Sequence, residues 1–162
     1  MPSALTEREL AEFYARMTVG SASAHGQGLD ELDRQDWRSL EIWVARRFQA
    51  SGWQVSETPR SGDGGVDVVC RHPANRQGIL VQVKYKEMGL GQVADDAVAQ
   101  IRTAPDRYRG HAWLRDALLL VATNGRFDLR ARTAAEQSNV KLVDRENIFT
   151  VSPIAQDLLN AQ

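Results

Sequence analysis

At 162 residues the chain is most simply one domain, long enough to bury a proper core. A quarter of the residues are charged and 43% are apolar, which excludes a disordered tract, and a net charge of −1 excludes a protein whose whole surface is basic. One cysteine, Cys70, excludes an internal disulfide framework and a cysteine-based zinc cluster. The start of the sequence has no charged-then-apolar signal pattern, and no run of about 18 apolar residues occurs, so the chain reads as cytoplasmic with no membrane partner.

In chain order, Thr6 to Val19 reads as a helix, with Thr6 and Glu9 forming a capping box. The small residues from Gly20 to Gly28 read as a flexible linker. Residues 1–29 are therefore expected to be an N-terminal helix plus linker, and residues 30–162 a catalytic domain. A second helix is predicted from Asp36 to Ala50, stopped by Ser51-Gly52. Strands are predicted at Trp53–Thr58, Val66–Arg71 and Ile79–Lys86, the last two joined as a hairpin. A helix over Gln92–Thr103 should follow. Ala117 to Ala122 is continuously apolar, as a central strand buried on both faces requires. Thr123-Asn124-Gly125 turns the chain into a helix over Leu129–Ser138, then a strand at Val140–Val143 and a C-terminal helical stretch. This order predicts an α/β fold, a central mixed sheet flanked by helices.

The chemistry concentrates in Arg60-Ser61-Gly62-Asp63-Gly64-Gly65-Val66-Asp67-Val68-Val69 and in Leu80-Val81-Gln82-Val83-Lys84-Tyr85. A glycine-punctuated turn delivers Asp67 onto a strand. On the next strand, Gln82 and Lys84 lie two residues apart and so share a face, while Val81, Val83 and Tyr85 share the other. In the second helix Trp37, Leu40, Val44 and Phe48 fall on one arc, and Glu41 falls inside it. A carboxylate aimed inward needs a cation, a proton or a hydrogen-bonding partner. Alone it reads first as an acid bonded to an arginine or a backbone amide; beside the Asp67, Gln82 and Lys84 set it reads first as part of the site.

Cleaving a phosphodiester requires an activated water, a stabilised pentacovalent dianion and a neutralised leaving alkoxide. Hard oxygen ligands holding Mg²⁺ serve all three needs. Asp67 is the central candidate ligand, with the side-chain carbonyl of Gln82, the main-chain carbonyl of Val83 and the carboxylate of Glu41 completing the set. Lys84 is the cation placed to orient water or offset developing charge; the plainer alternative is a lysine snorkelling from a sheet edge.

Gly-Asp-Gly-Gly-Val-Asp-Val-Val followed by Val-Gln-Val-Lys-Tyr resembles the catalytic core of the Mrr-type restriction endonucleases, members of the PD-(D/E)xK nuclease superfamily in its Gln-x-Lys variant. Leu-Leu-Val-Ala-Thr-Asn-Gly-Arg-Phe and Val-Lys-Leu-Val-Asp are similar to the family's later strand-helix-strand segment, so the resemblance spans roughly residues 36 to 150. It implies a restriction-endonuclease-like core and a Mg²⁺-dependent cut of DNA, with Mn²⁺ able to substitute. It also implies Asp67, Gln82 and Lys84 as catalytic residues and Glu41 as the helix acid. Asp63 matches an acid seen in the family's glycine turn, and reads first as turn chemistry. The segment before Asp36 reads as too short for the separate DNA-recognition domain that the resemblance would lead one to expect, and Gln82 removes a charge without removing a ligand. One site cuts one strand, so double-strand cleavage favours a homodimer. The rival class is a catalytically silent nuclease-fold module that binds DNA or protein.

Weaker signals remain. Gly89-Leu90-Gly91 reads as a phosphate loop at a helix N-terminus or as a plain link. His25, His72 and His111 lack metal-ligand spacing and read as surface histidines. Tyr108 and Trp113 interleave with Arg102, Arg107, Arg109 and Arg115, a pattern that serves DNA or a packed helix end equally well.

Overall fold

The computed structural model describes residues 24–57, 65–72, 77–108, 110, 114 and 116–147. The expected helix at Thr6–Val19, the C-terminal helical stretch, Asp63 with most of the glycine turn, His111, Arg109, Trp113 and Arg115 lie outside them.

Helix α1 spans Ala24–Arg34 and α2 spans Trp37–Ala50. Strands β1 (Gln54–Glu57), β2 (Val68–His72) and β3 (Gln77–Lys84) follow, then a single 3₁₀ turn at Glu87–Gly89 and a short β4 (Gln92–Val93). Helix α3 (Asp96–Thr103) and a 3₁₀ segment (Ala104–Tyr108) lead to β5 (Leu118–Thr123), β6 (Arg126–Phe127), α4 (Leu129–Ser138) and β7 (Val140–Val143). The main sheet has the order β1-β2-β3-β5-β7. Its first two pairings are antiparallel and its last two parallel. β4 and β6 form a separate parallel pair.

The helix boundaries follow from caps. Asp36 stands extended at φ −143° and its carboxylate accepts from Ser39 N at 2.9 Å, opening α2. The same bond, together with the nearby Arg38, holds the Asp36 carboxyl below its ordinary range. Asp128 opens α4 the same way, accepting from Ala131 N at 2.7 Å, and Asn139 closes it in the left-handed region at φ 55°.

The sheet is covered on both faces. One layer packs α1 and α2, through Leu29, Leu32, Leu40, Trp43, Val44 and Phe48, onto alternate strand residues that include Val68, Ile79, Val81, Leu120 and Ala122. The other packs α3 and α4, through Ala97, Val98, Ile101, Ala131 and Ala135, onto Val69, Leu80, Leu119 and Val121. Leu118 to Thr123 therefore serves both cores, which is why that run carries no polar alternation.

Two expectations need correction. From Ala24 to Gly28 the small-residue stretch belongs to α1 and is not linker. Burial of Leu29 and Leu32 in the core supplies the stability that glycine withholds from a helix. Gln92–Val93 is also not helical. Its backbone pairs with β6, where Arg126 N donates to Gly91 O at 3.3 Å and Asp128 N to Val93 O at 3.1 Å, so α3 starts only at Asp96.

Candidate functional site

Asp67 stands immediately before β2, where the β2–β3 ladder ends. Its N–H donates to Val81 O at 2.8 Å. Its Oδ2 accepts from Val83 N at 2.7 Å, so the carboxylate takes the place that a further strand residue would fill. The N–H and C=O of one strand residue point to the same side, and the Val83 carbonyl therefore faces the Asp67 side as well. Val81 is also the register partner of Val68, so Asp67 and Val68 share one position of β3, as in a bulge.

Gln82 and Lys84 project from β3 on the α3 face, away from Val81 and Val83, whose side chains enter the α2 core. They meet on one atom. Gln100 Oε1, on α3, accepts from Gln82 Nε2 at 2.7 Å and from Lys84 Nζ at 3.4 Å. Gln82 is 1% exposed, and its own Oε1 is buried with no hydrogen-bond partner among the described residues. An orphaned buried carbonyl oxygen costs about 1–3 kcal/mol, and a ligand that it accepts from or coordinates would recover that cost.

The glycine turn has a steric purpose at its last position. Gly65 has φ +83°, and a Cβ there would lie 2.7 Å from Gln82 Nε2 and 3.2 Å from Gln100 Cβ. Only glycine accepts this backbone while leaving room for the two amides.

Glu41 is half-buried at the margin of the α2 arc, beside Leu40, Trp43, Val44 and Phe48, and it has interactions of its own. Helix α2 covers the sheet face opposite Gln82 and Lys84, so Glu41 belongs to the other layer and is not part of the Gln82–Gln100–Lys84 hydrogen-bonded group. It does lie toward the same end of the sheet. The Tyr85 hydroxyl, just past β3, reaches Gln35 O at 3.0 Å immediately before the α2 cap.

A second polar group lies next to the first. Asp33 and Asn124 are buried, at 4% and 0% exposure. Arg145 Nη2 pairs with Asp33 Oδ2 at 3.3 Å, and Arg145 Nη1 donates to Asn124 O at 2.7 Å. Asn124 Nδ2 donates to Asp33 Oδ1 (2.9 Å) and Lys86 O (2.7 Å), while Asn124 Oδ1 accepts from Lys86 N at 2.7 Å. The Tyr85 hydroxyl also reaches Asp33 O at 2.6 Å. Desolvation raises the Tyr85 phenol above its ordinary value, and the charges of Glu87, Asp33 and Asp36 push the same way.

The Gly89-Leu90-Gly91 loop serves this group and not a helix N-terminus, since β4, Ala94 and Asp95 stand between it and α3. Met88, Gly89 and Gly91 all have positive φ, and the space a Gly89 Cβ would need is taken by the Arg145 guanidinium and the Asp33 carboxylate. A hollow of about 350 Å³ borders the loop, walled by Met88, Leu90, Gln92, Arg126 and Arg145.

The other sequence candidates are structural. His72 is half-buried, not a surface residue, with its ring edge-on to Trp53 at 5.3 Å. Burial pushes the Cys70 thiol far above its ordinary range, so it is inert core. Tyr108 packs against the α3 core and Arg102 Nη1 bonds Ser138 Oγ at 3.3 Å, which favours a packed helix end for the described part of that arginine-rich stretch.

The donor set suits a hard divalent cation. Among the described residues no three His, Cys, Asp or Glu side chains gather to hold a metal, so the fit rests on the kind of oxygens offered by Asp67, the Gln82 amide and the Val83 main chain. Amide and main-chain oxygens are ordinary Mg²⁺ and Ca²⁺ ligands. Among the described residues no helix is long and apolar enough to cross a membrane.

Comparison with known proteins matches residues 32–151 to the family model of the Mrr catalytic domain, described as a restriction endonuclease. An uncharacterized protein, y4cE, of Sinorhizobium fredii (strain NBRC 101917 / NGR234) is 32% identical over 81 residues, which are 49% of this chain and 21% of that protein. The chain thus corresponds to about a fifth of that relative's length. Among solved structures, the MspJI restriction endonuclease in complex with a 27-mer oligonucleotide aligns with a TM-score of 0.55 at 22% identity, over 83% of this chain and 32% of that one. FokI bound to DNA aligns with a TM-score of 0.57 at 12% identity, over 94% and 31%. A protein of unknown function, AF1548, aligns with a TM-score of 0.58 at 14% identity, over 72% and 65%. The five-stranded mixed sheet flanked by helices is the restriction-endonuclease-like fold.

Proposed function

Since the chain belongs to the restriction endonuclease family of the Mrr catalytic type, we propose that it is a divalent-metal-dependent DNA endonuclease that hydrolyses phosphodiester bonds. The observation that carries this reading is Asp67, its carboxylate fixed by Val83 N, next to the β3 positions that present Gln82 and Lys84 together to Gln100. The oligonucleotide complex of MspJI and the DNA complex of FokI support DNA as the partner.

Asp67, Gln82 and the Val83 carbonyl would hold Mg²⁺, with Glu41 adding a carboxylate from the α2 layer; Mn²⁺ would serve in its place. Bound there, the ion would lower the pKa of water and offset charge on the phosphate. The protein's own groups do the rest. Val83 N–H fixes one oxygen of Asp67, so the carboxylate is oriented before any ligand arrives. Lys84 Nζ, held at Gln100 Oε1 by a long bond of 3.4 Å, keeps donors for the attacking water or a non-bridging phosphate oxygen. Gln82 contributes an oxygen without charge, which makes the site a weaker metal binder than an acidic one and suits it to exchange metal with product. Two copies, acting as a homodimer, would cut both strands. We place the activity in defence against foreign DNA, with an effector that degrades DNA as the variant of that role; the family's restriction chemistry is what supports either.

Supercoiled plasmid should be nicked or linearised with Mg²⁺ or Mn²⁺ and left intact in EDTA. Asp67→Ala and Lys84→Ala should each lower the rate on the order of 100- to 1,000-fold. Wild-type rates in both variants would overturn the site, and binding of DNA without cleavage under either metal would make the protein a silent nuclease-fold module.

A further inference from the structure

We infer that Gln100 is a positioning residue that sets which end of the Gln82 amide faces the metal site, an inference that rests on the proposed function. The polarity of the hydrogen bonds dictates it. An ammonium has donors only, so the Gln100 atom that meets Lys84 Nζ at 3.4 Å is its carbonyl oxygen. That same oxygen lies 2.7 Å from the Gln82 side chain, so Gln82 must present its NH₂ there. The Gln82 carbonyl oxygen is then turned to the other side of the amide, where it is buried and unpartnered. The positive charge of Lys84 thus fixes Gln100, and Gln100 fixes Gln82, as a one-way chain of donors and acceptors.

An amide differs from a carboxylate in this respect. Either oxygen of a glutamate can face a cation, whereas a glutamine turned the wrong way offers NH₂ and repels it. A site that uses glutamine needs a neighbour to hold the orientation, and Gly65 leaves the space for that neighbour. Gln100 is exposed on α3, so replacing it does not open the core.

The test is Mn²⁺ binding to the intact protein, followed by loss of the free-ion electron paramagnetic resonance signal, with melting temperature as the fold control. Gln100→Leu should weaken Mn²⁺ on the order of tenfold, the size typical of losing a partner that orients a metal ligand. In a Gln82→Glu background, where orientation no longer matters, the same change should alter affinity by less than about twofold, a coupling that a merely structural role would not give. Equal losses in the two backgrounds, or no loss in the first, overturn the inference. If wild type binds Mn²⁺, Asp67→Ala abolishes binding and Gln100→Leu leaves it intact, this inference fails alone. If folded wild type binds no Mn²⁺, it fails together with the nuclease reading.

Discussion

Two polar groups sit at the same end of the sheet, and they are built to opposite rules. In the group of Asp33, Asn124 and Arg145, both Asp33 oxygens accept, and Asn124 uses its side-chain oxygen, its side-chain nitrogen and its main-chain carbonyl. In the group of Asp67, Gln82, Lys84 and Gln100, the most buried member keeps an acceptor with no donor among the described residues. Native proteins rarely leave buried polar atoms unmatched, because each one costs stability. The closed group fastens the chain beyond β3, and the open group is where a ligand would be received. Completeness of hydrogen bonding separates the two more clearly than residue type does, since both contain an acid, an amide and a base.

That contrast can be broken by mutation. Arg145→Ala strands a buried carboxylate and frees the Asn124 carbonyl, so unfolding in urea should show a loss of about 3 kcal/mol. A loss below about 1 kcal/mol would mean the closed group is ornamental. Gln82→Leu should act in the opposite sense: it removes the orphaned oxygen and stabilises the fold by about 1 kcal/mol while plasmid cleavage is lost. Destabilisation by Gln82→Leu would show that its oxygen has a partner in solution. The smallest effect is in pH. Tyr85 is raised in the folded state, first by desolvation and then by Glu87, Asp33 and Asp36. Its contribution is therefore full below the unfolded phenol value of about 10 and is lost as pH rises through the higher folded value. Urea midpoints of wild type should fall more steeply above that pH than those of Tyr85→Phe.

Much of this was legible in the sequence because it is locally encoded. Asp36 announces α2, whose next turn its side chain caps, and Thr123-Asn124-Gly125 announces the turn that leads into α4. The apolar run Ala117–Ala122 announces a strand buried on both faces, observed at Leu118–Thr123, and the spacing of Gln82 and Lys84 puts them on one side of β3. What was not legible depends on distant partners. Gln92–Val93 is a strand only because Arg126–Phe127 lies beside it. Ala24 to Gly28 is helical because Leu29 and Leu32 find the core. Gln100 looks like any polar residue on the outer side of an amphipathic helix, and its link to Gln82 spans 18 positions with no periodic trace. Glu41 was marked by its place on the arc, yet the layer it occupies is a property of the assembled sheet.

The Asp33–Arg145 bond joins residues 112 apart. A loop of that length is among the costlier contacts to close, and it becomes favourable only when β3, β5 and β7 have brought their ends together. We therefore expect it late in folding, absent from the transition state, so that Arg145→Ala quickens unfolding and leaves refolding at its wild-type rate. On this account the segment just beyond Lys84 is secured last. A chain still being synthesised would hold its sheet before it holds the segment beyond Lys84, and the proposed cleavage would wait until the residues around Arg145 have joined the fold.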